Sequence, residues 1–161
     1  MFRGFVVTTL AIGAAIGFAM PSHRATSRAA PVRQVDTDYG TRAIVLDRAD
    51  NGHFYADGQV NGHTVHFLVD TGATDIALTK ADAQAIGLDF SPANFTVVAR
   101  GANGDVRGKV LELASVQIGN KEVDGVRAVV LDDGLDVSLL GQSFLQRVAA
   151  VTIAGDRMTI D

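Results

Sequence analysis

The 161-residue chain has no cysteine. Disulfides and thiolate metal sites are therefore excluded, while the absence fits any compartment and selects none. Proline is scarce too: three residues stand beside 17 glycines and a 47% hydrophobic fraction, a composition that supports a packed core. No long basic stripe is present and the net charge is −4, so nucleic acid is not an expected partner. There is no Gly-x-Gly-x-x-Gly and no phosphate-binding loop. No serine or histidine stands in a recognisable nucleophile motif. No tandem repeat at a solenoid period occurs.

What is present is uneven. Residues 1–39 hold four basic and two acidic side chains, whereas residues 40–161 hold ten basic and 16 acidic. Gly4–Met20, behind Arg3, is uncharged and mostly apolar. It sits at the short end of the roughly 17–25 residues that span a bilayer, and near the upper end for a signal-peptide core. Phe18-Ala19-Met20-Pro21 is a poor cleavage site, so residues 1–20 read as a retained membrane anchor, with a cleaved signal or a buried helix as alternatives. Arg3 and the amino terminus lie before this segment, Arg24 and Arg28 after it, so charge counting leaves its orientation open. Residues 21–39 are polar, without a hydrophobic period, and read as a linker. Residues 40–161 form the domain.

From Tyr39 onward the chain reads as short strands. Ala43–Leu46 precedes Asp50-Asn51-Gly52; His53–Val60, interrupted at Asp57-Gly58, precedes Asn61-Gly62 and Thr64–Val69. Asn-Gly between strand-like runs is a strong hairpin signal, because a type I′ turn needs positive φ at both central residues. Two such turns predict an antiparallel meander that delivers Asp70 at the end of its last strand. Ile76–Leu78 is a further strand. Thr79 caps a short helix over Lys80–Ile86, with Asp82 in its first turn and Gly87 closing it. Asn103-Gly104 breaks Asn94–Val116 as a third hairpin. Val116–Ile118 and Val126–Leu131 flank Gly119-Asn120. Leu139-Leu140-Gly141 leads to a helix over Gln142–Arg147, and Val148–Ile153 with Met158–Ile160 forms a closing hairpin. The whole predicts an all-β, barrel-like domain with one or two short helices.

Asp70 is the residue with most chemical promise. It ends the apolar run Val65–Val69 and begins Asp70-Thr71-Gly72-Ala73. A carboxylate leaving water at a buried strand end must be paired, hydrogen-bonded or used chemically. Gly72 and Ala73 let a second backbone come close. Three residues alone could equally be a turn. Other candidates are weaker. His63 and His66, three apart on a strand, point to opposite faces and cannot easily share an ion. His53 beside its turn reads as structural. Asp132-Asp133-Gly134 with Asp136 lacks EF-hand spacing and reads as an exposed acidic turn. No metal or cofactor is expected.

Gly52-His53-Phe54, Asn61-Gly62, Phe67–Thr74 with its Asp70-Thr71-Gly72-Ala73 core, the Asn103-Gly104 segment and Leu139–Leu145 occur in this order and spacing. Over roughly Ile44–Asp161 the chain thus resembles the retropepsin-like aspartic proteases of the bacterial, single-domain, membrane-anchored type. The resemblance implies a closed β-barrel, half of an acid protease, built as a two-fold dimer. It implies Asp70 as the catalytic aspartate and Thr71, with Gly72, as the brace between two active-site turns. It implies substrate contacts from Ala73 and Thr74, and a flap at Gly101-Ala102-Asn103-Gly104, which by shape alone is an ordinary surface hairpin. Leu139, Leu140 and Gly141 correspond to the element supporting the catalytic loop. Asp75 is either a substrate contact or a solvated loop carboxylate. Retroviral members carry an acidic residue where Thr74 stands and an arginine where Gln142 stands; here both positions are neutral, so neither leaves a charge unmatched.

One Asp-Thr-Gly cannot make a dyad, so the resemblance implies a homodimer acting on a peptide or protein. Anchored relatives imply a single-pass protein of the bacterial inner membrane with its domain on the periplasmic side. Two non-catalytic alternatives stand beside this: a peptide-binding or dimerisation module that kept the fold, and a structural envelope protein.

Overall fold

Alternation of side chains sorts the strands into faces. The computed structural model describes residues 33–36, 42–101 and 104–161. Strands β3 (Tyr55–Val60) and β4 (His63–Val69) form a hairpin in which Ala56, Gly58 and Val60 face Val65, Phe67 and Val69 inward. Its turn is Asn61-Gly62, with φ of 49° and 84°, the geometry a type I′ turn requires. Strand β3 runs unbroken through Asp57-Gly58, where the sequence predicts an interruption. Gly58 is there for proximity: a Cβ would strike the tip of Ile118 and lie 3.1 Å from the Gln117 carbonyl.

Strand β5 (Ile76–Leu78) is buried at all three positions, as a central strand covered on both faces must be. Helix α1 (Lys80–Ala85) follows, its Thr79 hydroxyl accepting from Asp82 N at 3.0 Å. Gly87 turns the chain away at φ 73°. A 3-10 turn (Pro92–Asn94) leads to β6 (Thr96–Gly101), then β7 (Gly104–Ile118) and β8 (Lys121–Leu131). β7 is one continuous strand, not the two segments expected from the pattern. β9 (Ser138–Leu140) and helix α2 (Gln142–Leu145) precede a final hairpin of β10 (Val151–Ala154) and β11 (Arg157–Ile160).

The strands close a barrel. Its ring runs β3-β4-β9-β5-β8-β7 and returns to β3 through Gly58↔Ile118 and Val60↔Val116. β6 extends the sheet beyond β7. Within the ring, β9 lies parallel to β4 (Phe67↔Ser138, Val69↔Leu140) and antiparallel to β5. Closure buries Phe67, Leu113, Ile118, Leu140 and Phe144 in one core.

A second sheet joins the two ends of the described chain in the order β1-β2-β11-β10, where β1 is Arg33–Asp36 and β2 is Arg42–Asp47. This corrects two expectations. Part of the segment taken as a linker is a strand, paired antiparallel to β2. And β2 does not belong to a meander with β3; it pairs with β11, so Asn51-Gly52 turns the chain from one sheet to the other. Ile44, Leu46, Met158 and Ile160 contribute the inner face of this sheet to the barrel core. Among the described residues no helix is long and apolar enough to cross a membrane; the expected anchor at residues 1–20 lies outside them.

Candidate active site

The hairpin β3–β4 aims the chain at the site. Val69 N donates to Phe54 O at 2.9 Å, and Asp70 N donates to Leu140 O at 3.1 Å, so the parallel β4–β9 pairing continues up to Asp70 itself. Beyond it the backbone turns, with Ala73 N donating to Asp70 O at 3.3 Å. The half-buried Asp70 carboxylate accepts from Gly72 N through Oδ1 at 2.8 Å. That bond fixes the side chain over its own turn and holds one oxygen in place. Thr71 and Gly72 are exposed, and Ala73 is buried at 6%.

The stretch Leu139–Ser143 clamps this turn from behind. Gln142 N donates to Ala73 O at 2.8 Å and Ser143 N to Thr74 O at 2.9 Å, while Ser143 Oγ accepts from Ile76 N at 3.0 Å. Gly141 lies so close to the turn that a Cβ would press on the Asp75 carbonyl and sit 2.8 Å from Ala73 O. Only glycine permits this approach. Leu140 is wholly buried beneath, and Leu139 faces the other side of the sheet, half-buried. The neutral Gln142 reaches back to the turn, its Nε2 donating to Thr71 O at 2.7 Å. Thr71 and Gln142 also border an open cavity of about 300 Å³, completed by Leu145, Val148 and the start of β10.

Of the residues singled out in the sequence, the fold brings Asp70–Asp75 and Leu139–Gly141 together. The hairpin of β6 and β7 stands apart from them in the chain; Gly101 pairs with Gly104, and Arg100 Nε meets Asp105 Oδ1 at 3.1 Å just below the tip. Ala102 and Asn103 lie outside the described residues. His66 has its own partners: its Nδ1 is 2.7 Å from Asp57 Oδ1 and its ring stacks on Tyr55.

Three features carry no local signal in the sequence. Asp75 is paired with Arg127 of β8, Oδ2 to Nε at 3.1 Å. Ser138, wholly buried, donates to Asp82 Oδ2 at 2.5 Å and accepts from Thr79 N, tying helix α1 to β9. And a second apolar cluster forms outside the barrel core from Ala77, Val129 and Leu131, flanked by Leu139, Leu135 and, midway along the β6–β7 hairpin, Val98 and Val106. Each of these joins segments distant in sequence.

Comparison with known proteins agrees with this geometry. Residues 56–147 match the family model described as gag-polyprotein putative aspartyl protease. A crystal structure of a retropepsin-like aspartic protease from Rickettsia conorii superimposes with a TM-score of 0.67 at 40% identity, covering 73% of this chain and 89% of that one. An uncharacterised protein of Rickettsia prowazekii is 38% identical over 86% of this chain and 59% of its own length. An uncharacterised protein encoded in the cobV 5′ region of a Sinorhizobium species is 38% identical over 75% of this chain and 52% of its own. The chain therefore spans a little over half the length of these curated relatives. Matched family model, shared fold and the clamped Asp70-Thr71-Gly72 turn agree: the chain belongs to the retropepsin-like aspartic proteases.

Proposed function

We infer that this chain is an aspartic endopeptidase whose active unit is a homodimer. The observation that carries the reading is the Asp70 turn: a carboxylate with one oxygen held by Gly72 N, on a rigidly clamped loop whose Thr71-Gly72 face is exposed. One carboxylate cannot act as base and acid together. Two Asp70 carboxyls brought face to face on a two-fold axis cannot easily both ionise, so they share one proton, as aspartic protease dyads do. The ionised one takes a proton from water as that water adds to the peptide carbonyl. The other gives its proton to the carbonyl oxygen. Proton return to the amide nitrogen then lets the C–N bond break.

The rest of the fold suits a peptide substrate. Ala73, Thr74 and the turn's backbone can meet a peptide main chain. The Gly101–Gly104 hairpin is the flap, whose closure excludes water. The cluster of Ala77, Val129 and Leu139 below Val98 and Val106 offers an apolar wall for a substrate side chain. Residues 1–20 anchor the protein in the bacterial inner membrane, with the domain on the periplasmic side. Fractionation of bacterial cells, and exposure of spheroplasts to an added protease, tests the placement.

Asp70→Asn tests the reaction. The amide oxygen still accepts from Gly72 N, so the turn persists while the base is lost. Cleavage of a dye-labelled unfolded protein should fall by on the order of a thousandfold. Undiminished cleavage by the variant would refute Asp70 as the catalytic group, whereas binding without cleavage by the native chain would leave a peptide-binding module.

A further inference from the structure

We propose that Asp75 and Arg127 form a positioning pair that fixes the exit of the catalytic turn, and that Asp75 is not a substrate contact. This deepens the protease reading and rests on it.

The turn leaves Asp70 and is zipped to the β9–α2 junction by main-chain bonds at Ala73 and Thr74 and by Ile76 N donating to Ser143 Oγ. Those bonds hold its inner edge. The outer edge is held by a side chain. The Asp75 carboxylate is only 17% exposed and its Oδ2 lies 3.1 Å from Arg127 Nε, whose own side chain is 66% exposed. A carboxylate so far withdrawn from water needs a counter-charge. Arg127 sits on β8 beside Ala128, which is paired in parallel with Ile76, the residue after Asp75. The guanidinium thus ties the turn to the same strand that flanks β5.

The backbone makes this placement consequential. The Asp75 carbonyl is the group packed hardest against Gly141, and Gly141 adjoins Leu140, whose carbonyl receives Asp70 N. A shift at Asp75 therefore passes directly to the residue before the α2 clamp, and from there to the catalytic aspartate. An oxygen committed to Arg127 in a largely covered carboxylate is poorly placed to meet a substrate. A group that aligns the catalytic carboxyl without touching substrate changes kcat, whereas a group that only binds substrate changes KM.

The test is steady-state kinetics of Asp75→Asn, Arg127→Ala and Arg127→Lys in the full chain, on a fluorogenic peptide selected with the native protein. Rates are normalised to active sites, and sedimentation and thermal melting are run alongside. The expected result is a kcat lowered by about ten- to a hundredfold in Asp75→Asn and Arg127→Ala with KM within twofold. Arg127→Lys, which keeps the charge, should recover most of the loss, with sedimentation unchanged in all three. A raised KM at native kcat would make Asp75 a substrate contact and overturn the proposal, as would native kcat in Arg127→Ala or a loss that merely follows melting. Failure of the native chain to cleave any peptide would instead remove the protease reading, and this pair's role with it.

Discussion

Gly141→Ala is the sharpest structural perturbation available in this fold. An added Cβ would overlap the Asp75 carbonyl and lie 2.8 Å from Ala73 O, whereas ordinary contact begins at 3.4 Å, so the turn and the β9–α2 junction must part by at least about 0.6 Å. Neither side can yield freely. Ala73 O already receives Gln142 N at 2.8 Å and Thr74 O receives Ser143 N at 2.9 Å. Parting by that amount takes both bonds beyond good hydrogen-bonding distance, at about 1 kcal/mol each. Overpacking adds about 1–3 kcal/mol. The expected destabilisation is about 3–5 kcal/mol, a large share of the roughly 6–18 kcal/mol ordinary for a domain of about 120 residues. Urea unfolding followed by far-ultraviolet circular dichroism measures it, with the melting midpoint falling by about 12–20 °C at roughly 4 °C per kcal/mol. Gly58→Ala is the control. There the nearest atom is the flexible tip of Ile118, so the cost should be about 1 kcal/mol. Native-like stability of Gly141→Ala, or a larger loss from Gly58→Ala, refutes the reasoning that the glycine serves close backbone approach.

Other expectations are simpler to measure. Ser138→Ala leaves Thr79 N without its buried acceptor and takes one of two hydroxyl donors from Asp82 Oδ2, Thr79 Oγ1 remaining, and should cost about 1–3 kcal/mol in chemical unfolding; a neutral result removes the tie between α1 and β9. If the Thr71 hydroxyls brace two protomers across the axis, Thr71→Val weakens self-association by about ten- to a hundredfold in sedimentation while the protomer's melting midpoint stays put. The pH–activity profile should be bell-shaped with a mildly acidic maximum, because activity requires one shared proton: it fails when both carboxyls are protonated and again when both are ionised. A maximum above about pH 8 contradicts a carboxyl dyad.

Much of this molecule is written locally. The Asn61-Gly62 turn, the Thr79 cap and the Gly87 stop each follow from the dihedral limits and hydrogen-bond needs of a few adjacent residues, and each stands where expected. The pairing partners do not follow in that way. Asn51-Gly52 has the same dipeptide as Asn61-Gly62, yet it joins two sheets: β2 pairs with β11, which sets Ile44 and Leu46 in the core, and Asn51 lacks the positive φ that Asn61 has. Arg33–Asp36 has a linker's composition and becomes a strand because β2 offers it an edge.

The candidate site divides along the same line. By itself the sequence determined the Asp-Thr-Gly turn and its singularity, since these depend on residue identity and local backbone geometry; that Gly141 must lack a side chain follows only from the approach of the distant Ala73–Asp75 turn. Only the tertiary structure decided that β9 lies parallel to β4 and clamps the turn, that Gln142 reaches the Thr71 carbonyl, and that Asp75 faces Arg127. The physical reason is that barrel closure chooses among many possible strand partners at once. That choice is made by the summed burial of all the strands, and no single segment carries it.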